Sequence, residues 1–265
     1  MVPAEQFTHL FRLDGKTVII TGAGGAIGRS LALGMSAHGA KVSCVDLDAA
    51  KAEQTVRAVK EAGGTASAIV LDVSTPEAGE QAVQSTVQQW GRLDVVVNLA
   101  GNGILKPSLE FDVSDWEHMH DTYLRGTFLF CQAAGKVMIP QGSGSIINIS
   151  SVASLVALGR GTAAYAAMKA GVNGLTRELA LEWAASGVRV NAVAPCQVDT
   201  PQLRAVLQNP QFDPERLMAK WISSIPLGRL GRTEELIGPC VFLASDAASL
   251  VTGHVLVVDG GYTIQ

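Results

Sequence analysis

Short runs of β-branched and other apolar residues alternate along this chain with longer stretches whose apolar residues recur at helical spacing. Apolar runs of this kind indicate buried strands, and strands without polar alternation suit a sheet that is covered on both faces. Regular alternation of strands and helices implies right-handed crossovers. We therefore predict an α/β fold, a doubly wound parallel sheet, in one domain spanning residues 1–265, a length too short for two full domains. The predicted strands are 17–20, 42–45, 68–71, 95–97, 146–149, 188–193 and 255–258, and the predicted helices are 26–38, 49–62, 77–90, 116–137, 163–185 and 234–243.

One long segment, residues 197–226, interrupts this alternation. Its prolines make it too broken for a regular element, and connections of this length in compact domains are usually functional. We expect a substrate-binding lid that folds down through its apolar side chains. The prolines are Pro201, Pro210, Pro214 and Pro226, and the apolar residues are Leu203, Leu207, Leu217 and Trp221.

Charge and cysteine content exclude several classes of function. The net charge of -4 is dispersed with no run of Lys and Arg, so we expect no nucleic acid and no anionic membrane as partner. The start of the chain lacks the pattern of a signal peptide, and no apolar run has the length of a membrane span. The cysteines are far apart, so we expect no metal site and no disulfide framework, and a reducing cytoplasm. They are Cys44, Cys131, Cys196 and Cys240.

A glycine-rich turn, Thr-Gly-Ala-Gly-Gly-Ala-Ile-Gly at residues 21–28, follows the first predicted strand directly, and the first predicted helix begins within it. Glycines let the backbone turn sharply and approach a pyrophosphate, whose charge the free N–H groups and the positive end of the helix stabilise. A position between strand and helix is the context of a dinucleotide site. We predict such a site at Gly22, Gly24, Gly25, Ala26, Ile27 and Gly28.

The end of the second predicted strand carries an acidic residue, Asp46, followed by Leu47 and Asp48 rather than by a basic residue. A carboxylate about 20 residues after the turn can accept hydrogen bonds from the adenosine ribose and repels a 2′-phosphate. We therefore predict NAD as the cofactor in preference to NADP, with Asp46 and Leu47 beside the adenosine.

Tyr165 and Lys169 lie four residues apart in a predicted helix, so their side chains share one face. An adjacent ammonium stabilises a phenolate and lowers the pKa of the tyrosine towards working pH, where it can act as general base for an alcohol or as acid for a ketone. Ser150 and Ser151 follow a predicted strand, at the carboxyl edge where open α/β sheets bind ligands. A hydroxyl there can hold the substrate oxygen.

Combined with the glycine turn, these residues make the sequence resemble the short-chain dehydrogenase/reductase family over residues 13–263. Asn98-Leu99-Ala100-Gly101, Asn191-Ala192-Val193-Ala194-Pro195 and Asp259-Gly260-Gly261 occur in that family's order. The resemblance implies a Rossmann fold, a homotetramer, and hydride transfer between the nicotinamide and a secondary alcohol or its ketone. It assigns catalysis to Ser151, Tyr165 and Lys169, and further cofactor contacts to Asp72, Val73, Asn98, Ala100, Gly101, Tyr165, Lys169, Pro195, Val198 and Thr200.

The sequence departs from the family pattern at Tyr123, where the family usually has an asparagine that holds a water of the proton relay. Either the Tyr123 hydroxyl carries the relay, or Thr122 does, or the relay is rerouted, or Tyr123 is a packing residue. Cys196, Ala26 and Leu99 are smaller departures, which replace two glycines and an asparagine.

Residues predicted to face a small-molecule substrate are largely polar, which favours a sugar, polyol or sugar acid. Two other enzymatic hypotheses are a 3-oxoacyl-thioester reductase and a dehydrogenase of hydroxysteroids or other apolar alcohols. A non-catalytic NAD-sensing protein is the hypothesis from another class. The predicted substrate-facing residues are Asn102, Ser151, Arg160, Tyr165, Gln197 and Arg204.

Overall fold

The computed structural model describes residues 9–159, 161–208 and 213–265. Its centre is a seven-stranded sheet in which all pairs are parallel, in the order β3-β2-β1-β4-β5-β6-β7. The order reverses between β1 and β4, which places a crevice at the carboxyl ends of these two strands. The predicted doubly wound parallel sheet is confirmed. The strands are β1 (Thr17–Thr21), β2 (Lys41–Asp46), β3 (Thr65–Val70), β4 (Val95–Asn98), β5 (Gly144–Ile149), β6 (Val188–Pro195) and β7 (Val255–Val258).

Helices cover both faces of the sheet, as alternate residues of β1 show. Val18 and Ile20 are buried in an apolar layer with residues of α1, α2 and α9, whereas Ile19 is buried in a second layer with residues of α3, α5 and α6. Both faces of the strand are apolar because both are covered. The helices are α1 (Ala26–Ala37), α2 (Ala49–Glu61), α3 (Ala78–Trp90), α4 (Val113–Met119), α5 (Gly126–Gln141), α6 (Ala163–Trp183), α7 (Pro201–Val206), α8 (Pro214–Ser223) and α9 (Ile237–Ala244).

The segment predicted as one helix over 116–137 is divided in the structure. A π-helical stretch, His120–Arg125, separates α4 from α5. A π-helical turn accommodates an extra residue and is frequent at functional sites. Apolar spacing alone does not reveal this change of helix type, which brings Tyr123 into the small apolar cluster of Met119, Ala164 and Met168.

The prediction that residues 197–226 contain no regular element is wrong. Helices α7 and α8 lie within this segment, and each begins with the proline that was expected to break it. Proline suits the first helical position, where its missing N–H is not needed. The side chains of Thr200 and Asp213 accept hydrogen bonds from backbone N–H groups in the first turns of α7 and α8 respectively. Trp221 of α8 is buried, so part of the segment packs onto the domain.

None of the helices in the described residues is long and apolar enough to cross a membrane. The described residues also contain no cluster of His, Cys, Asp and Glu side chains that could hold a metal ion, and all four cysteines are free thiols.

Candidate active site

Ser151, Tyr165 and Lys169 come together at the carboxyl end of β5. Ser151 follows that strand, and Tyr165 and Lys169 are one turn apart near the start of α6. Ser151 forms a side-chain hydrogen bond with the Tyr165 phenol. Lys169 Nζ donates a hydrogen bond to the carbonyl oxygen of Ile149 at 2.6 Å, so the lysine is tied to the same strand end. The predicted catalytic residues therefore form one contiguous group.

Burial controls the ionisation of this group. It lowers the pKa of Lys169 to about 7, because an ammonium loses its hydration in the protein interior. It also raises the pKa of Tyr165, and the hydrogen bond from Ser151 offsets only part of that change. From the sequence, the neighbouring ammonium is expected to lower the pKa of Tyr165. The structure shows the opposite direction, since Lys169 Nζ lies 5.8 Å from the centre of the Tyr165 ring and desolvation dominates.

Tyr123 lies beside Tyr165 and Lys169 in this site. Its side chain is buried, its ring meets that of Tyr165 edge to face, and the Lys169 ammonium lies over it. Burial raises the pKa of Tyr123 well above its ordinary value, so its hydroxyl stays protonated at neutral pH. Tyr123 therefore belongs to the site and not to the outer surface of its helix.

The glycine turn has the shape that a dinucleotide needs. Gly22 has a φ of 68°, and a Cβ there would lie 3.0 Å from the Cα of Ala100. A Cβ at Gly28 would overlap the carbonyl oxygen of Gly22, so helix and strand approach more closely than a side chain allows. Helix α1 begins after Gly25, and no side chain of the described residues caps it. Its first N–H groups are thus directed at the crevice and fit a pyrophosphate.

Asp46 lies at the end of β2 against this turn. Its Oδ2 accepts a hydrogen bond from the Gly24 amide at 2.8 Å, and its Oδ1 accepts one from the Asp48 amide at 3.0 Å. Two amides thus hold the carboxylate in place, and each oxygen keeps a lone pair for a ribose hydroxyl. Leu47 is exposed beside it. These residues fit the adenosine end of a nicotinamide dinucleotide.

The other predicted cofactor residues surround the same crevice. Ala100 and Gly101 follow β4, Pro195 ends β6, Val198 forms a bridge with Gly231, and the Thr200 hydroxyl caps α7. Asp72 Oδ1 accepts hydrogen bonds from the backbone and the hydroxyl of Ser74, and this arrangement holds the loop that includes Val73. Their contacts with a cofactor stay predictions.

Asn98 has a hydrogen-bond partner on the neighbouring strand that was not predicted from the sequence. Its Nδ2 donates to Oδ1 of Asn148 at 2.8 Å, and Asn148 donates in turn to the hydroxyl of Thr176 in α6 at 3.0 Å. Both asparagines are buried, and this network joins β4 and β5 to α6, the helix that carries Tyr165 and Lys169. The sequence signal that could have indicated this network is the single amide side chain, Asn148, within the apolar run of β5.

Replacing Asn148 by alanine should lower the free energy of unfolding by about 1–3 kcal/mol, because the buried Asn98 amide would lose its oxygen acceptor and keep only the weak sulfur acceptor of Cys131. The shift in the denaturation midpoint at fixed protein concentration measures this cost. Asn102→Ala removes an exposed amide and serves as the control. Equal stability of the two variants would show that the network is dispensable.

The residues predicted to face the substrate occupy different environments. Gln197 is buried, and neither its amide nitrogen nor its amide oxygen has a hydrogen-bond partner among the described residues. Asn102 accepts a hydrogen bond from Gln202 of α7 at 2.8 Å, which ties the loop after β4 to the predicted lid. Arg204 is exposed and forms a bidentate ion pair with Asp199. Arg160 lies outside the described residues.

Known proteins are similar to this chain in both sequence and fold. The family model described as enoyl-(acyl carrier protein) reductase matches residues 22–263. D-threitol dehydrogenase of Mycolicibacterium smegmatis is 39% identical over 255 residues, which cover 96% of this chain and 95% of that protein. The L-tagatose-forming galactitol 2-dehydrogenase of Cereibacter sphaeroides is 37% identical over 260 residues, which cover 97% of this chain and 99% of that protein.

Solved structures agree with these relatives. The crystal structure of a gluconate 5-dehydrogenase from Burkholderia cenocepacia, in complex with NADP and tartrate, superposes with a TM-score of 0.89 at 35% identity. The match covers 97% of this chain and 98% of that one. With a parallel sheet, a glycine turn and a Ser-Tyr-Lys group in this arrangement, the chain belongs to the short-chain dehydrogenase/reductase family and is an oxidoreductase with a nicotinamide cofactor.

Proposed function

We propose that this chain is an NAD-dependent dehydrogenase that interconverts a secondary alcohol and its ketone, acting on a polyol, sugar or sugar acid. Activity on CH–OH donors is common to the dehydrogenases that it resembles. The carrying observation is the Tyr165 phenol, hydrogen-bonded to Ser151 and one helical turn from Lys169, at the carboxyl edge of the sheet beside the glycine turn.

In the proposed reaction, each residue acts at a named atom. Ser151 Oγ holds the substrate oxygen beside Tyr165 Oη. Deprotonated Tyr165 Oη accepts the hydroxyl proton of the alcohol as the carbon–oxygen double bond forms, and it returns a proton when the ketone is reduced. The bound nicotinamide supplies the acceptor for the hydride that leaves the same carbon. In its protonated form, Lys169 would place a positive charge on the Tyr165 side of the site and oppose the effect of burial, which raises the pKa of Tyr165.

The preference for NAD rests on Asp46. The two amide hydrogen bonds hold its carboxylate where the adenosine ribose is expected, so a 2′-phosphate would meet a fixed negative charge. Positions 47–50 contain no basic side chain. The next residue, Lys51, is paired with Asp48 at 3.4 Å, so its charge is already partly offset. The gluconate 5-dehydrogenase that was solved with NADP shows that the fold also accepts the phosphorylated cofactor, which makes this residue the point to test.

A hydroxylated substrate is supported by two kinds of observation. The similar proteins named above include dehydrogenases of threitol and galactitol. The unpartnered amide of Gln197 can donate to one hydroxyl and accept from another. Arg204, predicted to face the substrate, is already paired with Asp199 and is therefore less available to an acidic group, which favours a neutral polyol over a sugar acid.

We further propose that residues 197–226 close over the substrate and that the protein is a homotetramer in the cytoplasm. The hydrogen bond between Gln202 and Asn102 supports a lid next to the loop after β4. Exposed apolar side chains on three neighbouring helices support contacts between copies of the chain: Val113, Trp116, Phe128 and Leu181. Free thiols at all four cysteines are compatible with a reducing compartment.

The test is NADH formation from NAD by the purified protein with threitol, galactitol, other polyols, gluconate, a 3-hydroxyacyl thioester and a hydroxysteroid. We expect turnover with a polyol or sugar acid. Turnover confined to the thioester would instead support the acyl-thioester reductase. NADH binding without any turnover would support the sensor and contradict the dehydrogenase.

A further inference from the structure

Tyr123 contacts both members of the Tyr165–Lys169 pair through its ring. The Lys169 Nζ lies 4.6 Å from the centre of this ring, and the ring centres of Tyr123 and Tyr165 are 5.4 Å apart at an interplanar angle of 80°. We propose that Tyr123 is a positioning residue, whose ring face holds the Lys169 ammonium and whose edge-to-face contact orients Tyr165. This inference rests on the proposed function, in which Lys169 and Tyr165 perform the chemistry.

Lys169 needs such a partner because its surroundings offer little else. Among the described residues, the Ile149 carbonyl is the hydrogen-bond acceptor of Nζ, which has three donors. The rings of Tyr123 and Tyr165 lie near Nζ, and burial is the cause of its lowered pKa, with no charged neighbour contributing. A ring face carries negative potential and attracts a cation most strongly where water is excluded.

The ring of Tyr123 is held on all sides. A Cβ at Gly101 would overlap its Cε1, so the backbone after β4 lies directly against the ring. Met119, Ala164 and Met168 share its apolar cluster. On the backbone side, the Thr127 hydroxyl donates a hydrogen bond to the Tyr123 carbonyl oxygen at 2.7 Å, which satisfies an acceptor in the π-helical stretch. Packing therefore fixes the face that Lys169 meets.

The geometry favours the ring over a hydroxyl as the partner of Lys169. The Tyr123 hydroxyl lies towards Gly103, 3.3 Å from where a Cβ of that glycine would be. The Thr122 hydroxyl donates to the carbonyl oxygen of His118 at 2.9 Å, within its own helix. Of the alternatives open from sequence, relay through either hydroxyl thus has less support than a ring that orients the lysine.

The test compares the pKa of Lys169 in variants that change the ring and the hydroxyl separately. Tyr123→Phe keeps the ring face, whereas Tyr123→trifluorophenylalanine keeps the shape and removes the negative potential of the face. The lysine Cε resonances of isotope-labelled protein, assigned with Lys169→Met, give the pKa without substrate or cofactor. We expect little change with phenylalanine and a pKa about one unit lower with the fluorinated ring, a tenfold change in the ionisation constant.

Phe111→Leu provides the matched control, because Phe111 packs in the same cluster and is not one of the rings beneath Lys169. A pKa of Lys169 that stays at its native value in both variants would overturn the role of the ring face. An equal fall in both variants would overturn it as well, because the effect would then come from the loss of the hydroxyl. Because the pKa is measured without substrate or cofactor, none of these outcomes depends on whether the protein turns over an alcohol. Conversely, absence of turnover would remove the proposed function without altering the measured pKa.

Discussion

Replacement of Tyr165 by phenylalanine is expected to lower kcat/KM for the secondary alcohol by about 10²–10⁴-fold, the range that a positioned acid or base contributes. Phenylalanine keeps the ring and its contact with Tyr123 but removes the atom that accepts the proton. Because the phenol is hydrogen-bonded to Ser151 and its ring contacts Tyr123, its removal should leave the glycine turn unchanged, and NADH should bind as before. Steady-state rates and NADH fluorescence titration measure the two quantities separately.

Tyr262→Phe is the control for this experiment. The chain has three tyrosines, and Tyr262 lies after β7 in the last turn of the chain, so removal of its hydroxyl changes the same group elsewhere. It should leave kcat/KM within about twofold of the native value. Retention of most of the activity in Tyr165→Phe would remove Tyr165 from the role of acid and base.

The second large effect is expected from Asp46→Ala, which should lower the ratio of kcat/KM with NAD to that with NADP by about 10–100-fold. A hydrogen bond to a charged group is worth about 1.5–3 kcal/mol, and the same carboxylate repels the additional phosphate of NADP. Loss of the bonds to the Gly24 and Asp48 amides should weaken binding of both cofactors, and the ratio cancels that shared loss.

Asp48→Asn separates this effect from a general change of charge. Asp48 is also acidic and close to the turn, but its side chain caps α2 by accepting a hydrogen bond from the Lys51 amide at 3.1 Å. Asparagine keeps the cap and removes one negative charge together with the ion pair to Lys51, so the cofactor ratio should change much less than with Asp46→Ala. A ratio that changes equally in both variants would assign the preference to overall charge and contradict the role of Asp46.

The architecture could be predicted because its signals are local in sequence. Strands covered on both faces require uninterrupted apolar runs, and helices between them require apolar spacing, so the order of elements and the parallel sheet follow from pattern alone. The glycine turn and Asp46 could be placed for the same reason, since each lies at a strand end. The pair of Tyr165 and Lys169 needed only helical spacing.

The sequence by itself thus determined the fold class, the edge of the sheet that carries the site, and the residues that meet there. Tertiary structure alone decided how those residues act on one another. Burial reversed the expected direction of the pKa of Tyr165, an effect of desolvation that spacing does not contain. The π-helical turn directed Tyr123 inward beneath Lys169, and Asn148 became the partner of Asn98, because contacts between residues distant in sequence depend on how helices and strands pack.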